Sequence, residues 1–347
     1  MRTIAICAAA VLTLGLNVQA QSDPVPEHDD AYHLWYWRDT QHLANYTEWW
    51  YFNVYDSSNQ VQGIFSYLVN NPLNLPGGLL WFGIADMAAV VYTPAGIVNE
   101  ADLFFTPAFS AEYGEANVRI GPQNAITVAG PNTYLISGAS RDGRIAWNLR
   151  YEREASSWFA ADRFQVATEP WQLMSWLLYM PRAAVSGTLT VDGKTYSIDA
   201  PGYHDHNWGE WDLNGVAWNW AQYSQPGLTF DLGDFPQKPG GVASVAVDGQ
   251  RFVFASGQYR LTHTQWAYDS QNRLYYPTQS IFQAANTAAQ MAVIMDVKQS
   301  DALSAPILPP KAVIYEQTAN YTGLVVFAGK RIPFTGTGFK EYTGIAH

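Results

Sequence analysis

Eight residues near the middle of the chain, Gly202-Tyr203-His204-Asp205-His206-Asn207-Trp208-Gly209, hold an acid, an amide, a phenol, an indole and two of the seven histidines. Glu210 and Trp211 follow directly. Imidazoles and perturbed carboxyls move protons near neutral pH, so this stretch has the makings of acid–base chemistry. His204 and His206 are two apart; on a strand they share one face and Asp205 takes the other. The pair could also hold a metal if a third ligand, such as Glu48 or Asp231, came from elsewhere. His-x-His is a common spacing and no second ligand cluster is visible, so neither a metal nor a cofactor is assigned. No G-x-S-x-G elbow is present, and the pattern lacks the alternating helices of an α/β hydrolase. A glycosidase-type carboxylate pair stays open, because that separation is spatial.

The surroundings are aromatic: 14 Trp, 21 Tyr and 16 Phe, with no tryptophan after Trp266. A histidine or carboxyl held in an apolar cavity can stay protonated and act as an acid. Protonating an alkene creates a carbocation, which desolvated indole and phenol faces stabilise by about 2 kcal/mol or more without trapping it. Water activated by a base would give hydration; an internal hydroxyl or alkene would give cyclisation. On this reading His206 and Asp205 handle protons, with His204 beside them, and Asn207 orients. Trp208, Tyr203, Trp49, Trp50, Tyr51, Trp218 and Trp220 wall the cavity, and Glu48 is a second-choice acid. Large cores between sheets and a hydrogen-bonded strand end would use the same residue types without catalysis. A non-catalytic carrier of a hydrophobic ligand is the rival from another class.

These residues need strands to aim them. Residues 184–200 alternate as a strand, a turn at Asp192-Gly193 and a second strand, which places the motif where a strand ends or bends. Upstream, residues 48–56 form a strand closed by Ser57-Ser58-Asn59, and 63–69 return as its partner. Residues 216–224, the turn Gln225-Pro226-Gly227 and 228–232 echo that aromatic hairpin, as two related β units would. Further strand-length segments fall at 79–92, 117–128, 134–137, 145–151, 243–247, 252–259, 291–297, 312–317 and 321–327. Many short strands with turn punctuation predict an all-β sandwich or barrel arrangement. Residues 168–182 read differently. Thr168 could cap, Pro170 open and Pro181 close a short helix carrying Trp171, Met174, Trp176, Leu177, Leu178 and Met180. That helix would connect a β domain at 21–167 to another at 183–347.

At the N-terminus, Arg2, the apolar run 4–16 and Val18-Gln19-Ala20 read as an export signal over residues 1–20, cut before Gln21. Its apolar core is shorter than the ~20 residues of a membrane-spanning helix. A secreted or periplasmic protein without a stable membrane anchor is expected. The single cysteine, Cys7, lies in that signal, so the mature chain has no disulfide or thiolate to work with. Thirty acids against 19 bases give a net charge of −11 with no basic run, which argues against nucleic acid or anionic membranes as partners. The remaining partner class is a hydrophobic small molecule; the oligomeric state is not legible.

EWWYF at 48–52, GYHDHNWG at 202–209 and GTGFKEYTG at 336–344 together resemble the carotenoid 1,2-hydratase (hydroxyneurosporene synthase), kievitone hydratase and AttH-like superfamily. They are similar also to the lipocalin-like Diels–Alderases. The resemblance implies two lipocalin-like β-barrel or β-sandwich domains packed together, with a ligand pocket at or near their interface. It implies a hydro-lyase, an intramolecular cyclase or a pericyclic, Diels–Alderase-like cyclase working without cofactor on an isoprenoid-like or prenylated substrate. Carried onto this chain, the central motif points to Tyr203, His204, Asp205, His206, Asn207 and Trp208. An acid on the return strand, Asp231 or Asp234, would be the proton donor; Thr229 stands two before Asp231, where such enzymes have an aromatic residue.

Overall fold

The computed structural model describes residues 27–78, 82–238, 240–303 and 312–345. The expected export signal lies outside them, as does the start of the segment 79–92. Twenty-one strands and four short 3-10 turns occur, and no α-helix is present among the described residues.

The first sheet holds β1 (Tyr46–Asp56), β2 (Val61–Asn70), β3 (Ile84–Thr93), β4 (Gly96–Phe105), β5 (Phe109–Ala111) and β6 (Val118–Ile120). It continues with β7 (Asn124–Gly130), β8 (Thr133–Ala139), β9 (Ile145–Arg153), β10 (Trp158–Gln165), β11 (Leu173–Val191) and β12 (Lys194–Glu210). The second holds β13 (Asn219–Gln225), β14 (Leu228–Phe235), β15 (Gly240–Val247), β16 (Gln250–Ala255) and β17 (Tyr259–Asp269). β18 (Leu274–Ala285), β19 (Ala289–Ala302), β20 (Ala312–Phe327) and β21 (Lys330–Ile345) complete it. The first sheet nearly closes into a barrel and the second forms a half-barrel. Their wiring is alike. Each opens with a four-strand meander whose first strand pairs with the last strand of the sheet, in the orders β4-β3-β2-β1-β12 and β16-β15-β14-β13-β21. The two aromatic hairpins that echo one another in sequence, β1–β2 and β13–β14, therefore occupy equivalent places.

Three apolar clusters follow: one inside each sheet and one between them. Strands buried on both faces feed two clusters at once, because side chains alternate. β1 sends Trp50, Phe52 and Val54 into the barrel, and Trp49, Tyr51 and Tyr55 into the layer between the sheets.

The same double burial overturns the helix expected at 168–182. Leu173–Val191 is strand, paired to β12 along its length, to β10 at its start and to β9 at its end. Leu177 and Tyr179 point into the barrel while Met174, Trp176 and Leu178 point out to the second sheet. An apolar run covered on both faces has no period-two signature, so it cannot be told from a buried helix by pattern. Pro181 is accommodated because the register slips between Met180 and Ala183, a break in the ladder that asks for no donor there. No connecting segment separates two domains at 168–182; the first sheet runs on to Glu210.

Residues ahead of β1 dock on the body. Tyr32, Leu34 and Trp37 are buried against the barrel, and the Trp50 indole N–H donates to the Asp30 carbonyl at 3.1 Å.

The closing glycine of the central motif is a steric requirement. Gly209 sits at φ +146°, and a Cβ there would lie 2.2 Å from the Leu173 carbonyl oxygen on β11. Gly209→Ala should cost about 1–3 kcal/mol. Urea unfolding checks this, and a midpoint equal to wild type would refute it.

Candidate active site

β1 and β12 are antiparallel neighbours in the register Glu48↔Trp208, Trp49↔Asn207, Trp50↔His206, Tyr51↔Asp205 and Phe52↔His204. EWWYF and GYHDHNWG are thus one piece of sheet, and alternation sorts their side chains onto two faces. Trp49, Tyr51, Tyr203, Asp205 and Asn207 face the second sheet. Glu48, Trp50, His204, His206 and Trp208 face the barrel interior.

On the first of these faces a pocket opens between the sheets. Trp49, Tyr51, Trp176, Trp211, Trp218 and Trp220 wall it, and Asp205, Asn207 and Glu341 supply its polar groups. Asp205 is held from three sides. The Trp176 indole N–H and the Tyr203 hydroxyl each donate to its Oδ2 at 2.8 Å, and the Asn207 amide donates to Oδ1 at 3.3 Å. Burial pushes the Asp205 carboxyl up to about 6, and the donors from Trp176 and Tyr203 restrain the rise. Its carboxylate form is therefore available near neutral pH and ready to accept a proton.

Glu341 comes from β21, within the GTGFKEYTG stretch. The Trp218 indole N–H donates to its Oε2 at 2.8 Å. Glu316 lies opposite it across β20–β21, and the two carboxyls interact electrostatically. Burial raises both, and their shared negative charge raises Glu316 further, so the pair keeps a proton where solvated glutamates have lost theirs. The pocket thus sets a retained proton on one sheet against an available base on the other.

The return-strand acids do not line it; β14 contributes Gly233 and Phe235. Asp231 is fully buried, with its nearest cation, Arg251 Nη1, at 3.8 Å. Burial lifts it to about 8, only partly offset by Arg251. Asp234 accepts from the Asn219 amide at 3.0 Å and the Tyr259 hydroxyl at 2.9 Å.

The two histidines belong to another assembly, inside the barrel. His204 Nδ1 lies 2.9 Å from the Tyr51 carbonyl oxygen and its Nε2 2.9 Å from Asp30 Oδ2. His206 sits between carboxylates, with Nε2 2.8 Å from Glu48 Oε1 and Nδ1 3.2 Å from Asp30 Oδ1. Glu48 also accepts from the Tyr46 hydroxyl and from the His33 backbone N–H at 3.0 Å. Burial alone would raise Asp30 and Glu48, but the imidazoles outweigh it and hold both below the ordinary range. Burial would lower His206, yet Asp30 and Glu48 hold it above its ordinary value. Rings pack closely around the network: Phe52 on His204, Trp50 on His206 and Trp208 on His33. His206 and Asp205, expected to work together, are separated by the sheet itself. Trp50, Trp208 and Glu48, expected at the cavity, line the barrel interior instead.

Reading the sequence missed Trp176, Trp211 and Glu341 in the pocket, Glu316 beside Glu341, and Asp30 and His33 in the barrel. Glu341 had a signal, since it stands in the third motif two residues from Phe339 on the same strand face. Trp176 was hidden by the helix reading. Asp30 had none.

The fold has solved counterparts. An AttH-type protein from Nitrosomonas europaea is similar with a TM-score of 0.67 at 13% identity, covering 96% of this chain and 100% of that one. Kievitone hydratase from Nectria haematococca gives 0.61 at 14%, covering 93% and 96%. CghA with Sch210972 gives 0.59 at 14%, covering 87% and 89%. These counterparts include an AttH-type protein and kievitone hydratase, kinds of protein that the three motifs resemble, and at such identities the likeness is one of fold. Neither a family model nor a curated protein sequence matches the chain.

Proposed function

We propose, on the premise of a fold shared with a hydratase, that this chain is an exported acid–base catalyst of hydratase or cyclase type acting on a hydrophobic, alkene-bearing substrate of isoprenoid-like or prenylated structure. One observation carries the reading: Glu341, whose carboxyl burial pushes up, and the donor-held Asp205 carboxylate line one pocket walled by five indoles. Glu341 passes its proton to an alkene carbon, leaving a carboxylate and a carbocation against the indole faces. Asp205 takes a proton from the water that adds, and Asn207 keeps the Asp205 carboxylate aimed. The substrate gains one water in all, and proton exchange with solvent then returns Asp205 to its carboxylate and Glu341 to its acid form. An internal hydroxyl in place of that water closes a ring. In this reading Tyr203 and Trp176 position Asp205, Glu316 backs Glu341, and the histidines hold the barrel together.

Incubation with prenylated phenols and acyclic terpenoids in heavy-oxygen water, followed by mass spectrometry, tests it. A product heavier by one labelled water is the hydratase outcome, and an isomer of unchanged mass is the cyclase outcome. Bound ligand recovered unchanged from every member that binds would overturn catalysis in favour of a carrier.

A further inference from the structure

We infer that His33, Glu48 and His206 form a divalent metal site inside the first barrel, of the kind zinc occupies, which fastens the segment ahead of β1 to the sheet. The site lies on the opposite face of β12 from the proposed catalytic pocket and does not depend on that reading.

The donor atoms are already gathered. One donor atom from each of His33, Glu48 and His206 lies within 4.8 Å of the other two, and all three residues are buried. Zinc with bonds of about 2.0–2.2 Å in tetrahedral geometry spaces its ligand atoms roughly 3.3–3.6 Å apart. His33 Nδ1 is 3.3 Å from Glu48 Oε1, at that spacing. His206 Nε2 is closer, at 2.8 Å, because a proton bridges it to the carboxylate. A metal takes that proton's place and spreads the pair by about half an ångström, releasing the proton.

Behind the ligands stands the support a metal-bound imidazole needs. Asp30 Oδ1 is 3.2 Å from His206 Nδ1, and the other Asp30 oxygen is fixed by His204. A carboxylate on the far nitrogen sets the tautomer and turns Nε2 toward the metal. At present neither His206 Nδ1 nor Asp30 Oδ1 completes a well-formed hydrogen bond, so a small rotation of the ring would improve both shells. Charge favours the ion too. Asp30 and Glu48 are fully buried carboxylates, and the ion pairs they make among the described residues are all with imidazoles. Two imidazoles and one carboxylate suit zinc-class ions rather than calcium or magnesium, which prefer all-oxygen shells. The ligands come from three places: the N-terminal segment, β1 and β12. One ion would tie them together.

Cobalt(II) gives the test a visible readout. Full-length mature protein stripped by a chelator is titrated with cobalt(II) and followed by its tetrahedral absorption bands, with circular dichroism as the check on folding. The expected result is one equivalent bound with tetrahedral bands and a melting temperature raised by the metal. His33→Ala, in the segment ahead of β1, should weaken binding at least tenfold, roughly, and Asp30→Asn by about 10–100-fold. If His33→Ala does not fold, His33→Gln replaces it. Folded wild type that binds no cobalt at about 1 mM overturns the site. So does uptake without tetrahedral bands, or uptake unchanged in both variants.

Discussion

Asp205→Asn should yield a folded protein whose turnover falls by about 10²–10⁴-fold on any substrate the wild type converts. The substitution keeps the shape and an oxygen for Trp176 and Tyr203 to donate to, but removes the group that accepts a proton. Stability should hold or rise, because a buried carboxyl with a raised pKa costs folding energy when it ionises. Glu341→Gln should lose activity for the complementary reason, and the two losses separate by pH. Asp205 must be ionised, so wild-type kcat/KM should fall on the acid side with a limb near pH 6. The Glu316–Glu341 pair must hold a proton, so kcat/KM should fall again on the alkaline side, later than for solvated carboxyls. Residual activity in Asp205→Asn should lack the acid limb, and that in Glu341→Gln the alkaline one. Full turnover in either variant would remove that residue from the mechanism.

His206→Ala should strike stability rather than chemistry, by about 3–5 kcal/mol in chelator-treated protein, because it strands Asp30 and Glu48 without their shared partner. The pH dependence has a definite sign. Asp30 and Glu48 are held low, so their contribution is present above the ordinary carboxylate range and is lost as pH falls through their depressed values. His206 is held high, so its contribution is complete below the ordinary imidazole range and is lost as pH rises through its elevated value. The variant's penalty should therefore be largest near about pH 5.5 and shrink toward alkaline pH. The raised acids act alongside it. Asp205 at about 6, Asp86 at about 7 and Asp231 at about 8 bind protons in the fold that the unfolded chain has released. Wild-type stability should accordingly decline from about pH 5 to pH 8. Urea unfolding across that range decides both points; a penalty constant with pH would show that the network is not ionic.

Hairpins with a local signal were legible in the sequence. β11–β12 turns at Asp192-Gly193, where both residues take positive φ, and β1–β2 turns where Asp56 accepts from the backbone of Ser58 and Asn59. The opposed faces of His204–His206 and Asp205 were legible too, because period two needs nothing but a strand. Which face meets the second sheet was not legible. That depends on how β12 lies against β13 and β21, and local pattern carries no information about it. Glu341 and Asp30 were missed for the same reason, since only tertiary packing brings them beside β12. Trp176 was lost where double burial erased the alternation that would have marked its strand.

The like wiring of the two sheets has a consequence for the pocket. Asp205 lies on the closing strand of the first sheet, cross-strand from Tyr51 on its opening strand. Glu341 lies on the closing strand of the second, cross-strand from Trp220 on its opening strand. Each half of the chain thus presents one acid beside one aromatic ring at the same topological address, and the two addresses face each other. The site has the plan of a homodimer interface written into a single polypeptide. Covalent linkage frees the two copies of an acid to differ, one held by donors as a base and the other paired to keep its proton. Identical subunits related by a two-fold axis could not divide those roles without breaking their symmetry.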